Sequence, residues 1–191
     1  MKKRKKEVLD LLSKYFLIMY VFSFLGWLFE VMQSFIFYNS FSDRGFLSSP
    51  ICPIYGLTIM FIYFCAGTPF NPKGLVKGIN SLPCVFIIYF LISFVMPTIM
   101  ELLIGLSFEE MFNVRLWDYS YLPYNNAGYI ALIISLGWAV LITLVMTYIF
   151  PFVQKKINLI PYKYSVIISI ILFFSILIDL IYNVSIFIVG V

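Results

Sequence analysis

Long apolar runs, separated by short stretches rich in polar residues, proline and glycine, fill the chain. Residues 15–38, 50–66, 83–106, 129–150 and 164–190 are almost wholly apolar. Four of these runs reach the roughly 20 residues that an α-helix needs to cross a bilayer. The run 50–66 is shorter, and Pro50 and Pro53 confine its regular part to the residues after them. A helix that starts late, after a buried loop, would satisfy its backbone there, as would a partly re-entrant segment. The pattern predicts an all-α, polytopic membrane helix bundle of about five transmembrane helices.

Small and polar residues recur inside these runs at helical spacing. Ser23, Gly26, Glu30 and Ser34 share a face of the first helix, and Ser93, Pro97, Glu101 and Gly105 one of the third. Ser135, Ala139, Thr143 and Thr147 line the fourth; Ser175, Asp179 and Asn183 line the fifth. Small stripes let membrane helices approach closely.

Composition supports lipid as the solvent. The 191 residues are 62% hydrophobic, 20% aromatic and 12% charged, against about 25% charge in a soluble domain. The basic start, "MKKRKK", resembles a signal-peptide n-region. The run 15–38 is too long for an h-region and no small-residue cleavage site follows, so it is expected to be a retained helix. No lipidation signature is seen.

Basic residues set the orientation. With residues 1–14 in the cytoplasm, Lys2, Lys3, Arg4, Lys5, Lys6, Lys14, Lys73, Lys77, Lys155, Lys156 and Lys163 fall inside. Those are eleven of the thirteen Lys and Arg, and only Arg44 and Arg115 fall outside. The expected topology is N-in, C-out, with residues 1–191 forming a single integral membrane domain. The basic terminus would also touch anionic lipid. The outer segment 107–128 is aromatic and turn-rich and is expected along the membrane interface. "SFLGW" at 23–27 and "SLGW" at 135–138 hint at an inverted repeat.

Glu30, Glu101 and Asp179 fall within spans, where ionisable groups are costly and face a bundle interior or a wet cavity. Counted from their helix starts, they lie roughly 22 to 27 Å from the inner end. The expectation is one polar, outward-facing site holding these acids, with Arg44 and Arg115 on the loops above and Asp118 and Asn183 as further polar candidates. The arginines would bind an anionic head group or keep the acids ionised. The same stripes also fit packing seams, with the acids as interhelical hydrogen-bond partners.

Other chemistry is missing. There is no histidine, and Cys52, Cys65 and Cys84 lack CxxC spacing, which argues against zinc sites and His-based nucleophile systems. "GTPFNPKG" at 67–74 is not a P-loop, so any ATP hydrolysis must come from a partner. No catalytic residue, metal, cofactor or nucleic-acid partner is expected.

The segment "DRGFLSSPICPIYG", 43–56, would deliver Arg44 near Glu30 and lead through an ordered, non-helical stretch into the second helix. Together with "SFLGWLFEV" (23–31), "VRLWDYSYLPYN" (114–125), Ser135 and Trp138, it resembles the bacterial ABC-transporter type IV, or CmpB-type, membrane family over about residues 16–151. The resemblance carries over Gly26, Trp27, Glu30, Arg44, Gly45, Pro50, Cys52, Pro53, Tyr55 and Gly56. It also carries over Glu101, Trp117, Asp118, Tyr119, Ser120, Pro123, Asn125, Gly128, Ser135 and Trp138. The chain departs from the family pattern at Ser49, Tyr129 and Ala139. At Tyr129 the family often has an arginine, so a third positive group for an anion site is missing.

The resemblance implies a bacterial cell-membrane protein of the ABC-permease type, with membrane lipids, a separate ATPase subunit or further copies of itself as partners. Two other functions fit the same residues. One is a membrane scaffold or accessory subunit that binds partner helices. The other is an enzyme acting on lipid-linked substrates through Glu30, Glu101 or Asp179.

Overall fold

The computed structural model describes residues 2–38 and 46–189. Arg44 and Gly45 lie outside the described residues. The helices are α1 (Lys2–Tyr38), α2 (Pro53–Ala66), α3 (Leu82–Phe112), α4 (Leu132–Asn158) and α5 (Tyr162–Val189). Four of them are long and apolar enough to cross a membrane, and α2 is a shorter apolar helix. The chain is a mostly helical, multi-pass membrane protein.

Two compact units divide the chain. One comprises residues 1–57 and 153–191, the other residues 58–152. The boundaries fall inside α2 and α4.

Helix ends differ from the apolar runs for local reasons. The helix of α1 continues back through the basic segment to Lys2, because lysine and arginine are good helix formers. α3 runs on to Phe112 and stops at Asn113, whose left-handed φ of 53° suits an asparagine cap. Helix α4 starts at Leu132, since Asn125–Asn126 and Ile130–Ala131 pair as an antiparallel hairpin, β3 and β4. It continues through Pro151, which has no N–H to offer the Thr147 carbonyl. A π turn at Val145–Ile149 opens the helix just before that proline, and Phe150 N–H bonds the Val145 carbonyl. Between α2 and α3, β1 (Gly67–Thr68) and β2 (Asn71–Pro72) form a tight hairpin.

The stripe on α3 is its buried face: Val85, Tyr89, Ser93, Pro97, Glu101 and Gly105, each four residues apart. α3 packs on α4, where Ser135, Ala139, Ile142 and Met146 are buried. The buried face therefore leaves the Thr143 position that strict spacing of four would include. Thr147 is buried beside Met146 within the π turn itself.

Candidate functional site

In the unit formed by residues 1–57 and 153–191, two glycines let α2 press against α1. A Cβ on Gly26 would overlap the Tyr55 ring, and one on Gly56 would overlap the Met19 carbonyl and Ser23 Oγ. The Cys52 N–H donates to the Ser23 carbonyl at 3.0 Å. Gly56 thus lies at Met19 while Cys52 lies at Ser23, so α2 runs opposite to α1. Tyr55 crosses the glycine gap and its hydroxyl donates to Glu30 Oε1. Glu30 is half-buried and sits on the same face as Ser23, Gly26 and Ser34, all three of which are buried.

Helix α5 lies parallel to α1. Ser165 Oγ donates to Asp10, Ser169 Oγ donates to the Ser13 carbonyl, and the Phe16 and Phe173 rings meet edge-on. Lys14 completes the N-terminal end of this seam by pairing with Asp10 at 2.8 Å. This register of about 156 positions sets Asp179 beside Ser23, not beside Glu30. Seven residues separate those levels on α1, about 10 Å. The common depth expected for Glu30 and Asp179 does not hold, because α1 and α5 do not begin at equivalent positions.

Asp179 holds the chain that leads into α2. Its Oδ1 accepts the Ser48 N–H at 3.1 Å and its Oδ2 accepts the Ser49 N–H at 2.8 Å. Asn183 Nδ2 donates to Asp179 Oδ1 at 2.8 Å and to Ser48 Oγ at 3.2 Å. Leu47, Ile51 and Cys52, on either side of these serines in the chain, are buried. Irregular backbone in an apolar setting needs partners for its polar groups, and the carboxylate supplies two acceptors. Asp179 and Asn183 are the latch of the Ser48–Ser49 backbone.

In the unit formed by residues 58–152, Glu101 is the buried acid, 7% exposed. Trp138 Nε1, on α4, donates to its Oε1 at 2.8 Å, and Tyr119 OH, from the following loop, donates at 3.4 Å. The stripe on α3 therefore meets two neutral aromatic donors at the level of Glu101. One turn further on, Gly105 leaves room for Tyr129 and Trp117.

That loop, residues 113–131, is folded on itself. Trp117 Nε1 donates to the Tyr129 carbonyl at 2.8 Å, and the Tyr119 N–H to the Gly128 carbonyl at 2.9 Å. Asn125 Oδ1 accepts the Gly128 N–H at 3.1 Å, and Asn125 Nδ2 donates to the Leu122 carbonyl at 2.7 Å. Gly128 takes φ +78°, and a Cβ there would overlap Asp118. Arg115 pairs with Glu109 at 3.0 Å and Asp118 at 3.4 Å, and covers the Tyr129 ring. The Glu109 hydrogen bond holds the Arg115 guanidinium above its ordinary pKa. The Ser120 N–H, donated at 2.9 Å, holds the Asp118 carboxyl below its own. The carboxylate partners of Arg115 among the described residues are thus loop and helix-end acids.

These geometries lie on the residues that the sequence singles out by motif. A family model described as "Putative ABC-transporter type IV" matches residues 16–184. The chain belongs to this family. No curated protein and no solved structure shows a significant match.

In this ABC-transporter type IV chain, the motif residues work in linked sets. Gly26, Tyr55 and Gly56 join α1 to α2 around Glu30; Pro53 opens α2; Trp117, Tyr119, Asn125 and Gly128 build the cap that reaches Glu101. Sequence spacing missed the donors Tyr55, Tyr119 and Trp138. The signal available was chemical: a carboxylate in an apolar helix needs a donor, and the motifs around both glutamates carry a tyrosine or tryptophan. Among the described residues, no group of three or more Cys, Asp and Glu is placed to hold a metal ion.

Proposed function

We propose that the chain is the permease-like, membrane-embedded component of a transport system, with α2 and the segment before it as its broken-helix element. The observation that carries this is where α2 begins. Cys52 bonds Ser23, yet α1 continues fifteen residues past Ser23 to Tyr38, about 22 Å. With the bilayer on the apolar run of α1, the first turn of α2 starts well inside the hydrocarbon. Transporters build their substrate paths from such discontinuous helices.

The orientation that fits the basic residues is N-in, C-out, with α2 completing five membrane-inserted helices. Glu30, held by Tyr55, is the polar candidate of one unit and Glu101, held by Trp138 and Tyr119, that of the other, and Arg44 and Arg115 remain the positive groups of the flanking segments. Asp179 and Asn183 serve the same element as its latch. Since no P-loop is present in the chain, energy would come from a separate ATPase subunit.

Fusion and reconstitution test this together. Alkaline phosphatase joined after Val191 should be active and one joined near Lys77 inactive. The tagged chain, purified gently from its own membranes, should bring down an ATPase whose hydrolysis rate changes on reconstitution with Asp179→Ala. A chain that leaves every co-purified ATPase unaffected would favour the scaffold function.

A further inference from the structure

The loop 113–131 exposes two tyrosines, Tyr121 and Tyr124, the second from a strained backbone. Tyr124 has φ +54°, a left-handed conformation that is a genuine outlier for a bulky residue. Strain of this kind persists only where the surroundings fix it. Here the Tyr124 carbonyl accepts the Leu132 N–H at 3.2 Å and Asn125 beside it is pinned to Leu122 and Gly128. The residue is nonetheless 83% exposed, and Tyr121 is 72% exposed. Other aromatics of the loop face inward, since Trp117 bonds the Tyr129 carbonyl and Tyr119 reaches Glu101.

The loop joins the ends of two helices that are long and apolar enough to span a membrane, Leu82–Phe112 and Leu132–Asn158. The Leu132 N–H, at the first residue of the second of these helices, bonds the Tyr124 carbonyl, so Tyr124 sits at the end of a helix that can span a membrane. Tyrosine has an apolar ring and a polar tip, and such side chains settle at the lipid headgroup level.

We propose that Tyr121 and Tyr124 form an interfacial anchor that docks the loop into the phospholipid headgroup region of the adjoining leaflet. The anchor fixes the height of the cap in the bilayer, and so the position of Tyr119 over Glu101. The partner is a lipid surface. Neither contact depends on a particular transport substrate, so the anchor stands or falls separately from the permease function.

The test is a nitroxide at position 124, and separately at 121, in bilayer nanodiscs. It uses Tyr124→Cys and Tyr121→Cys chains in which Cys65 and Cys84 are alanine and buried Cys52 is kept. Both positions are exposed, so labelling leaves the packing intact. The expected result is collision with oxygen exceeding collision with a water-soluble nickel chelate at both positions, placing them at or below the phosphates. Nickel accessibility equal to that of a label in bulk water at either position would overturn the anchor.

Discussion

Asp179 and Ser49 stand 130 positions apart in the chain, and the carboxylate of one accepts the backbone N–H of the other at 2.8 Å. Ser48 is held by the second oxygen. Asp179→Asn keeps the shape but leaves one acceptor for two amides, and Asp179→Ala leaves none. An unsatisfied amide in apolar surroundings costs about 1–3 kcal/mol. Denaturant unfolding in mild detergent should show losses of this order, larger for Ala than for Asn. Equal stability of all three chains would show that the Ser48–Ser49 backbone finds other partners.

Close approach of α2 to α1 makes its two glycines unequal. At Gly56 an added methyl meets the Met19 backbone carbonyl, whereas at Gly26 it meets the Tyr55 side chain, which can move. Overpacking costs about 1–3 kcal/mol. Gly56→Ala should sit at the top of that range and Gly26→Ala below it. The comparison is made by thermal unfolding. Gly26→Ala should also weaken the Tyr55–Glu30 bond, so Tyr55→Phe should cost less in that background than alone.

Glu101 and Trp138 meet at 2.8 Å in the α3–α4 seam. Glu101→Met and Trp138→Phe each remove one partner at similar volume. Their double-mutant cycle should give a coupling of about 0.5–3 kcal/mol, as contacting residues do. Additivity within error would mean that the bond contributes nothing to stability.

The stripes that carry these bonds were legible from spacing alone: Ser93, Pro97, Glu101 and Gly105 form part of the buried face of α3. Spacing does not encode register between helices. That is why Asp179 was expected level with Glu30, although the register of the Ser165–Asp10 and Ser169–Ser13 bonds puts it at the level of Ser23. Nor does it reveal which residues a loop will fold onto a helix, so Tyr119 was placed only in an interfacial segment and Tyr129 at the start of the fourth helix. The late start of α2 was legible, since Pro50 and Pro53 forbid helix before them. What latches the chain ahead of it was not, because the latch comes from the far end of the sequence.

The cap has a pH dependence of defined sign. The folded Asp118 carboxyl is held below its ordinary pKa, first by the Ser120 N–H, so its contribution is fully present above the usual carboxylate range. It is lost as pH falls through the lowered value. Exchange of the Ser120 amide, corrected for intrinsic rate, should be constant near neutrality and rise only below that range. In Asp118→Asn the acid-dependent rise should disappear. Persistence of the same rise in that variant would assign it to another group.

The start of α2 inside the bilayer is the claim on which the transport function rests, and its depth can be measured at Ser48. A bimane at Ser48→Cys, with Cys65 and Cys84 replaced by alanine, is read in vesicles whose phospholipids carry a nitroxide at mid-chain or on the headgroup. Ile36, 70% exposed on α1, serves as the shallower reference through Ile36→Cys. A broken helix entered from within the membrane predicts stronger quenching of position 48 by the mid-chain nitroxide, and a deeper position than that of residue 36. Stronger quenching of position 48 by the headgroup nitroxide, with residue 36 the deeper of the two, would contradict it.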